Sequence, residues 1–325
     1  MPINPAFNKT AATASYPTSI PDMTQHLKRE TNTTPNEVRS QARTINVILL
    51  EMQRVMEVLG TSPNWTEGQT LADLEINTTA FGDGSDGDVV IAVSDTLTED
   101  MYYDNLTIET GQILNTDGYR IFVRHTLTLE GTAIISNNGN AGVTTTPGAA
   151  TNAGSLGIGS AGAGSETNGD PSSNSAGGAG GSGGGAVFGT GGAITANVTG
   201  LRDLAIATTL FNQDGLINAG SGGGGGEDGA VAGGAGGGGG GVVMVAARNI
   251  VADSTATISA NGGDGGNGGG AGDGGGGGGG GGLVIVVTTS YVPPSIMEAT
   301  GGDGGTGAGG NGASGSTGTA IIVAL

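Results

Sequence analysis

Apolar residues follow three different rhythms along this 325-residue chain. In the first, between residues 34 and 60, they recur at Val38, Ala42, Ile45, Leu49, Met52, Met56 and Leu59, with spacings of 4, 3, 4, 3, 4 and 3. That is an unbroken heptad register. Thr34-Pro35-Asn36-Glu37 provides an N-cap, a proline at the first helical position and a glutamate at the third, which together form a capping box. Gly60 and then Pro63 provide the stop. The pattern predicts a helix over 34–60. Ile48 and Val55 broaden its stripe, favouring a coiled coil of three or more strands over two; the alternative is an amphipathic helix packed on its own domain. Roughly 25 residues rising 1.5 Å each give a stalk of about 37 Å. Such a stalk needs support from the rest of a trimer.

The second rhythm starts at Phe81 and has period two. DVVIAV (88–93), NLTIE (105–109), RIFVRHTLTLE (120–130) and TAIIS (132–136) read as short strands, punctuated by Gly111, Gly118 and Gly131. The strand–Asn–Gly texture of ILNTDG and IISNNG suggests rungs of a β-solenoid or β-prism. Before this β-rich domain of 81–141 lie an arm (1–33) punctuated by Pro2, Pro5, Pro17 and Pro21, and a connector (61–80) whose Trp65 is expected to cover the helix end. An arm of this kind is flexible alone and is expected to dock into a larger assembly.

The third rhythm, over 142–325, alternates glycine tracts with apolar strands. GGGAVFG (183–189), GGGVVMVAA (239–247), GGGLVIVV (280–287) and TGTAIIVAL (317–325) are the strands that follow tracts. IISNNGNAG (134–142), LINAGSGGG (216–224), TISANGGDGG (257–266) and IMEATGGDGG (296–305) are those that precede them. Leu216, Ile258 and Met297 lie 42 and 39 residues apart, which suggests a repeat whose units must stack to bury their strands.

The tracts themselves have a finer period. Residues 262–282 divide into GGD, GGN, GGG, AGD, GGG, GGG and GGG, and 177–185 and 301–312 fall into the same frame. Three residues per turn with no internal hydrogen bonds is the geometry of a polyproline II helix. Ordering 20 residues costs on the order of 20–40 kcal/mol. Such a tract is therefore either disordered or paired sideways through its backbone. The tracts are poor in the Lys, Glu, Gln and Pro of disordered chains, which favours a polyglycine bundle. Collagen needs proline at X and Y, and these tracts have none.

Composition narrows the function. The chain has 71 glycines, 3% aromatic residues, no cysteine and a net charge of −19. Disulfides and thiolate metal sites are excluded. A nucleic-acid surface needs a basic patch, and an anionic membrane repels this charge. The apolar runs are far shorter than the roughly 20 residues that span a bilayer, and no signal peptide is expected from the first residues. Of the two histidines, His26 lies in the arm and His125 in an alternating strand, where a surface role is expected. No nucleophile elbow, HExxH or zinc spacing occurs, so no enzyme is expected. Asp83, Asp86 and Asp88 form the one metal-like cluster, a candidate Ca²⁺ site; the alternative is an acidic Gly turn entering a strand. Asp264, Asp273 and Asp303 are expected to face solvent, and 144–176 to form an exposed variable segment.

FGDGSDGDVVI, MYYDNLTIETGQILNTDGYRIFV and LTLEGTAIISNNGNAG, followed by repeated glycine tracts, resemble the glycine-rich fibre, spike and adhesin proteins of tailed bacteriophages. The resemblance covers 81–325. The tracts also look like those of the tail-fibre adhesins of T-even-like phages, in which glycine-rich helices pack as a sandwich and loops at its tip contact the host. It implies a mainly β, elongated virion fibre, anchored to other virion proteins through 1–33, with a host cell-surface protein or glycan as receptor. The chain departs from those adhesins in carrying its own arm and coiled coil, which favours a homotrimer. Alternatives are capsid decoration without a receptor, an ice-binding or cell-surface glycine-rich protein, and a polysaccharide depolymerase.

Overall fold

The computed structural model describes residues 80–172, 175–181, 189–193, 217–290 and 296–325. The expected arm, the helix with its stripe from Val38 to Leu59, Trp65, His26, Leu216 and most of the strand in 183–189 lie outside the described residues.

The described chain is mainly β, and every strand pairing is parallel. One six-stranded sheet contains, in order, β1 (Gly87–Ile91), β3 (Met101–Ile108), β5 (Arg120–Leu129), β9 (Val242–Ala252), β11 (Leu283–Thr288) and β13 (Thr319–Ala324). A second sheet contains β12 (Met297–Glu298), β10 (Thr257–Ser259), β6 (Ile134–Ser136), β4 (Ile113–Asn115) and β2 (Asp95–Thr96). The chain alternates between the two sheets as it advances, so each long strand and the short strand after it form one rung of a coil. Register shifts at Gly87/Asp88, Tyr103/Leu106 and Val123/Thr126 bend successive long strands.

Like residues stack from rung to rung. Met101, Ile121, Val245, Val286 and Ile322 form one inward ladder. Leu114, Ile135, Ile258 and Met297 face them from the second sheet, and both sets share one core. The opposite face of the long strands is also covered. Tyr102, Phe122, Met244, Ala246, Ile285 and Val287 pack with Phe81, Leu156 and Ala219. Tyr102 and Phe122 stack with ring centroids 4.9 Å apart and planes 4° from parallel. Burial on both faces explains why VVMVAA and LVIVV read as unbroken apolar runs instead of alternating ones.

β5 of the 81–141 region pairs directly with β9, so strands from both sides of residue 142 share one coil. The segment around Ala153 and Ser155 is held against the base of the coil. Asp100 joins the Arg120 guanidinium, at 2.9 Å, and the Ser155 hydroxyl. Gly118, at φ 82, passes so close to Ala153 that an added Cβ would lie 2.5 Å from its carbonyl oxygen.

The assignment of LINAGSGGG to the TISANG and IMEATG strands is corrected here. β8 (Ile217–Asn218) pairs with β7 (Gly157–Ile158) in a separate two-stranded sheet. The strand aligned with β10 and β12 is instead β6, through Ile258↔Ile135 and Ile258↔Met297. Short apolar strands that open a glycine tract look alike in sequence, and their partners are chosen by the rung beneath.

The glycine tracts leave the coil after β6, β10 and β12 and return into β9, β11 and β13. Residues 273–282 form a central rod. Its N–H groups point in three directions, one per residue of the triplet. Gly274, Gly277 and Gly280 donate to Glu227, Gly224 and Ser221 at 2.9, 2.7 and 2.8 Å. Gly275, Gly278 and Gly281 donate to Gly310, Ala313 and Ser316, each at 2.9 Å. Gly276, Gly279 and Gly282 donate to Gly266, Gly263 and Ala260 at 2.8, 2.8 and 2.6 Å. Its carbonyls accept from three further rods, for example from Gly237, Gly178 and Gly302 at 2.9, 2.7 and 2.8 Å. A three-residue turn with three donor and three acceptor directions thus gives six neighbours, and these backbone polar groups are satisfied without a side chain.

The same geometry excludes side chains. A Cβ on Gly277 would lie 2.0 Å from the Gly178 oxygen, whereas on Gly164 the nearest atom would be the Thr167 hydroxyl at 3.7 Å. Gly277→Ala is therefore expected to lower stability by roughly 1–3 kcal/mol or more, and Gly164→Ala to change it by less than about 0.5 kcal/mol. Thermal unfolding of the two variants checks this; equal melting temperatures would refute the lattice.

Candidate functional site: the free end of the glycine bundle

Neighbouring rods that run in the same direction are locked by a recurring device. The side-chain oxygen of an Asn or Asp accepts the N–H of one residue on the next rod, and the glycine after it donates to that same residue's carbonyl. Asn138 and Gly139 hold Asn261 in this way, both at 2.7 Å. Asn261 and Gly262 hold Thr300, both at 2.8 Å. Asp264 and Gly265 hold Asp303, and Asn267 and Gly268 hold Thr306, all at 2.8 Å. Asn168 and Gly169 hold Thr190, both at 2.9 Å. The third residue of the triplet points across to the next rod at these positions, so the side chain replaces a missing backbone acceptor.

The locked rods deliver their turns to one end, away from the strands. Among the described residues, the turns are 143–146, 164–167, 227–233, 267–273 and 306–311. At about 3.1 Å per residue, the ten residues of 273–282 set this end roughly 30 Å from β11. Neighbouring turns are tied together: Gly269 donates to Ala232 at 3.0 Å, and Gly309 to Asp273 at 2.9 Å. Val143 and Val231 stand out into solvent here, 58% and 65% exposed.

Asp273 organises this end, and the expectation that it faces solvent is corrected. Its side chain is fully buried, against turn residues that include Gly229, Val231, Gly268 and Gly270. One carboxylate oxygen accepts the N–H groups of Gly229 at 2.8 Å and Val231 at 3.1 Å. The Val231 bond is the largest influence holding its carboxyl below the ordinary 3.8; burial opposes it and the Gly229 bond adds to it. Asp264 and Asp303 do face solvent. Of 144–176, the stretches 144–146 and 166–168 are exposed, while Gly148, Thr151, Leu156, Gly159 and Ser160 are buried.

The acidic turn before β1 lies elsewhere. Asp83 accepts from the Ser85 amide at 3.0 Å, Asp86 from the Tyr102 amide at 2.6 Å and Asp88 from the Asn105 side chain at 2.8 Å. Each carboxylate has its own partner. Among the described residues, no group of three or more His, Cys, Asp or Glu side chains could hold a metal ion. His125, at the bend in β5, is half-exposed and lies 3.4 Å from Asp104. No protein-family model, curated protein or solved structure matches this chain.

The arrangement offers shape and contact at the free end. The sequence reading missed the clamps and the buried Asp273. The clamps do have a signal, since Asx–Gly pairs recur in one triplet frame, at Asn138, Asn261, Asp264 and Asn267 on outgoing tracts and at Asn168 on a returning one. Asp273 shares that frame and has no signal of its own.

A carboxyl whose folded value is lowered stabilises the fold above its ordinary value, and that support is lost as pH falls through the lowered one. Acidification below 3.8 is accordingly expected to loosen the 227–233 turn. At neutral pH, Asp273→Ala is expected to speed hydrogen exchange at Gly229 and Val231 by on the order of tenfold. Exchange mass spectrometry, corrected for intrinsic rates, checks both; unchanged protection in the variant would refute the role.

Proposed function

We propose that this chain is a fibre or spike subunit of a tailed-bacteriophage virion that attaches to a host cell-surface receptor, protein or glycan. Residues 1–33 dock to other virion proteins. The 34–60 stripe from Val38 through Ala42, Ile45, Leu49, Met52 and Met56 to Leu59 joins three copies. The free end of the glycine bundle makes the contact, and the role is adhesion, not catalysis. One observation carries this reading: among the described residues, a rigid lattice of glycine rods gathers five turns at a single end and exposes Val143 and Val231 there. That is the arrangement implied by the resemblance to phage adhesins. Three such ends on one particle would multiply weak contacts through avidity.

The test uses the labelled full chain and a panel of bacterial strains. Saturable binding to some strains is expected. Val143→Asp combined with Val231→Asp is expected to weaken it by about tenfold or more at unchanged melting temperature, since buried apolar anchors dominate contact energy. Undiminished binding by the double variant would remove the free end from the contact. A light-scattering mass three times that of the chain is expected for the assembly, and a monomeric mass would remove the trimer.

A further inference from the structure

Four of the five clamps are built from Asn–Gly pairs: Asn138–Gly139, Asn168–Gly169, Asn261–Gly262 and Asn267–Gly268. In an unconstrained chain this dipeptide deamidates readily. The glycine nitrogen attacks the asparagine side-chain carbonyl carbon, forming a new C–N bond. The bond to the side-chain nitrogen breaks, and that nitrogen leaves as ammonia with the glycine's amide proton. Water then opens the resulting succinimide at one of its two C–N bonds, giving aspartate or isoaspartate. The reaction needs no oxidant or further co-reactant, but it requires the glycine N–H and the asparagine carbonyl to meet.

Each clamp holds those two groups apart on one residue of the next rod. For Asn267 the side-chain oxygen accepts from both the Thr306 N–H, at 2.8 Å, and its hydroxyl, at 2.9 Å. The Gly268 N–H meanwhile donates to the Thr306 carbonyl at 2.8 Å. Asn168 does the same with Thr190, whose N–H and hydroxyl lie 2.9 and 2.8 Å away. Rotation toward the glycine nitrogen must break both sides of the clamp at once.

A fifth pair, Asn311–Gly312, is built differently. The Asn311 oxygen accepts from Gly307 of its own turn at 3.2 Å, and Gly312 donates to another residue, Gly305, at 2.9 Å. Asn311 is exposed, on the outer rod. Its side chain can turn without disturbing a neighbouring rod.

We propose that the clamps block succinimide formation at Asn138, Asn168, Asn261 and Asn267 in the folded protein, and that Asn311 is its site of spontaneous deamidation. The bundle thereby sets the chemical lifetime of the chain, and a chain that fails to form it is marked at all five positions. This holds whatever surface the free end contacts.

The test ages the full chain in mildly alkaline buffer, native and in denaturant, and follows deamidation and isoaspartate at each site by peptide mass spectrometry. In the native chain Asn311 is expected to convert on the order of tenfold or more faster than the four clamped sites, since each must first open paired lattice bonds. In denaturant all five are expected to converge. Clamped sites that match Asn311 in the native chain would overturn the proposal, as would clamped sites that stay slow in denaturant. Thr306→Pro removes the N–H that Asn267 accepts. Acceleration at Asn267 with Asn138 and Asn168 unchanged supports the clamp, and acceleration at all four reports loss of the bundle and supports protection by the fold. An unchanged Asn267 overturns it.

Discussion

Lateral pairing of bare backbone is the constraint on which the rest depends. In the rod 273–282 each N–H and C=O named above has a partner on another rod, and no side chain stands between them. Glycine loses more freedom on ordering than any other residue, so a single rod in water has nothing to hold it. Only the packed set is stable, with many hydrogen bonds each worth a net 0.5–1.5 kcal/mol or so. Close backbone approach adds dispersion and Cα–H···O contacts. An interior methyl group would destroy that approach, because it would lie near 2.0 Å from a carbonyl oxygen at Gly277, Gly278 and Gly279 alike.

The coil supplies what the rods lack, namely register. A run of GGG triplets slides by three residues without changing its own pattern. The strands do not slide, because their apolar residues must stay inside. Ile258 pairs with Met297 and Ile135 with Ile258, offsets of 39 and 123 residues. The clamps beyond them keep the same offsets: 39 for Asn261 on Thr300, Asp264 on Asp303 and Asn267 on Thr306, and 123 for Asn138 on Asn261. The sheet register therefore runs unaltered into the outgoing layer. Strands lie about 4.8 Å apart, a spacing at which hydrogen-bonded rods can continue from them without a change of pitch.

This division explains what the sequence revealed. Triplet frames, apolar runs and separating glycines are local: the triplets of 262–282 predicted a laterally paired bundle, and Gly111, Gly118 and Gly131 marked off the short strands. Partner choice is not local. Ile217–Asn218 looks like Ile258–Ser259, yet it pairs with Gly157–Ile158 because of where the inserted chain returns. Asp264 and Asp273 occupy the same position of the triplet. One lies on an outer rod and is exposed; the other opens the central rod and is enclosed. Exposure in a lattice depends on a rod's address, and the address is set by the topology of the whole coil.

A three-residue rod also dictates where such a molecule can change. Any insertion inside a rod that is not a multiple of three would rotate every later donor away from its acceptor. Even a full triplet would need matching triplets on up to six neighbours. Turns carry no such requirement. Between Glu227 and Gly233, or between Asn267 and Asp273, the chain needs only to reverse and rejoin the frame. Asp273 gives those turns a fixed floor by holding Gly229 and Val231, whatever side chains stand above it. Scaffold and contact surface are thus separated by physics: glycine is required where a rod is packed on all sides, as along 274–282, and side-chain choice widens where the rods end.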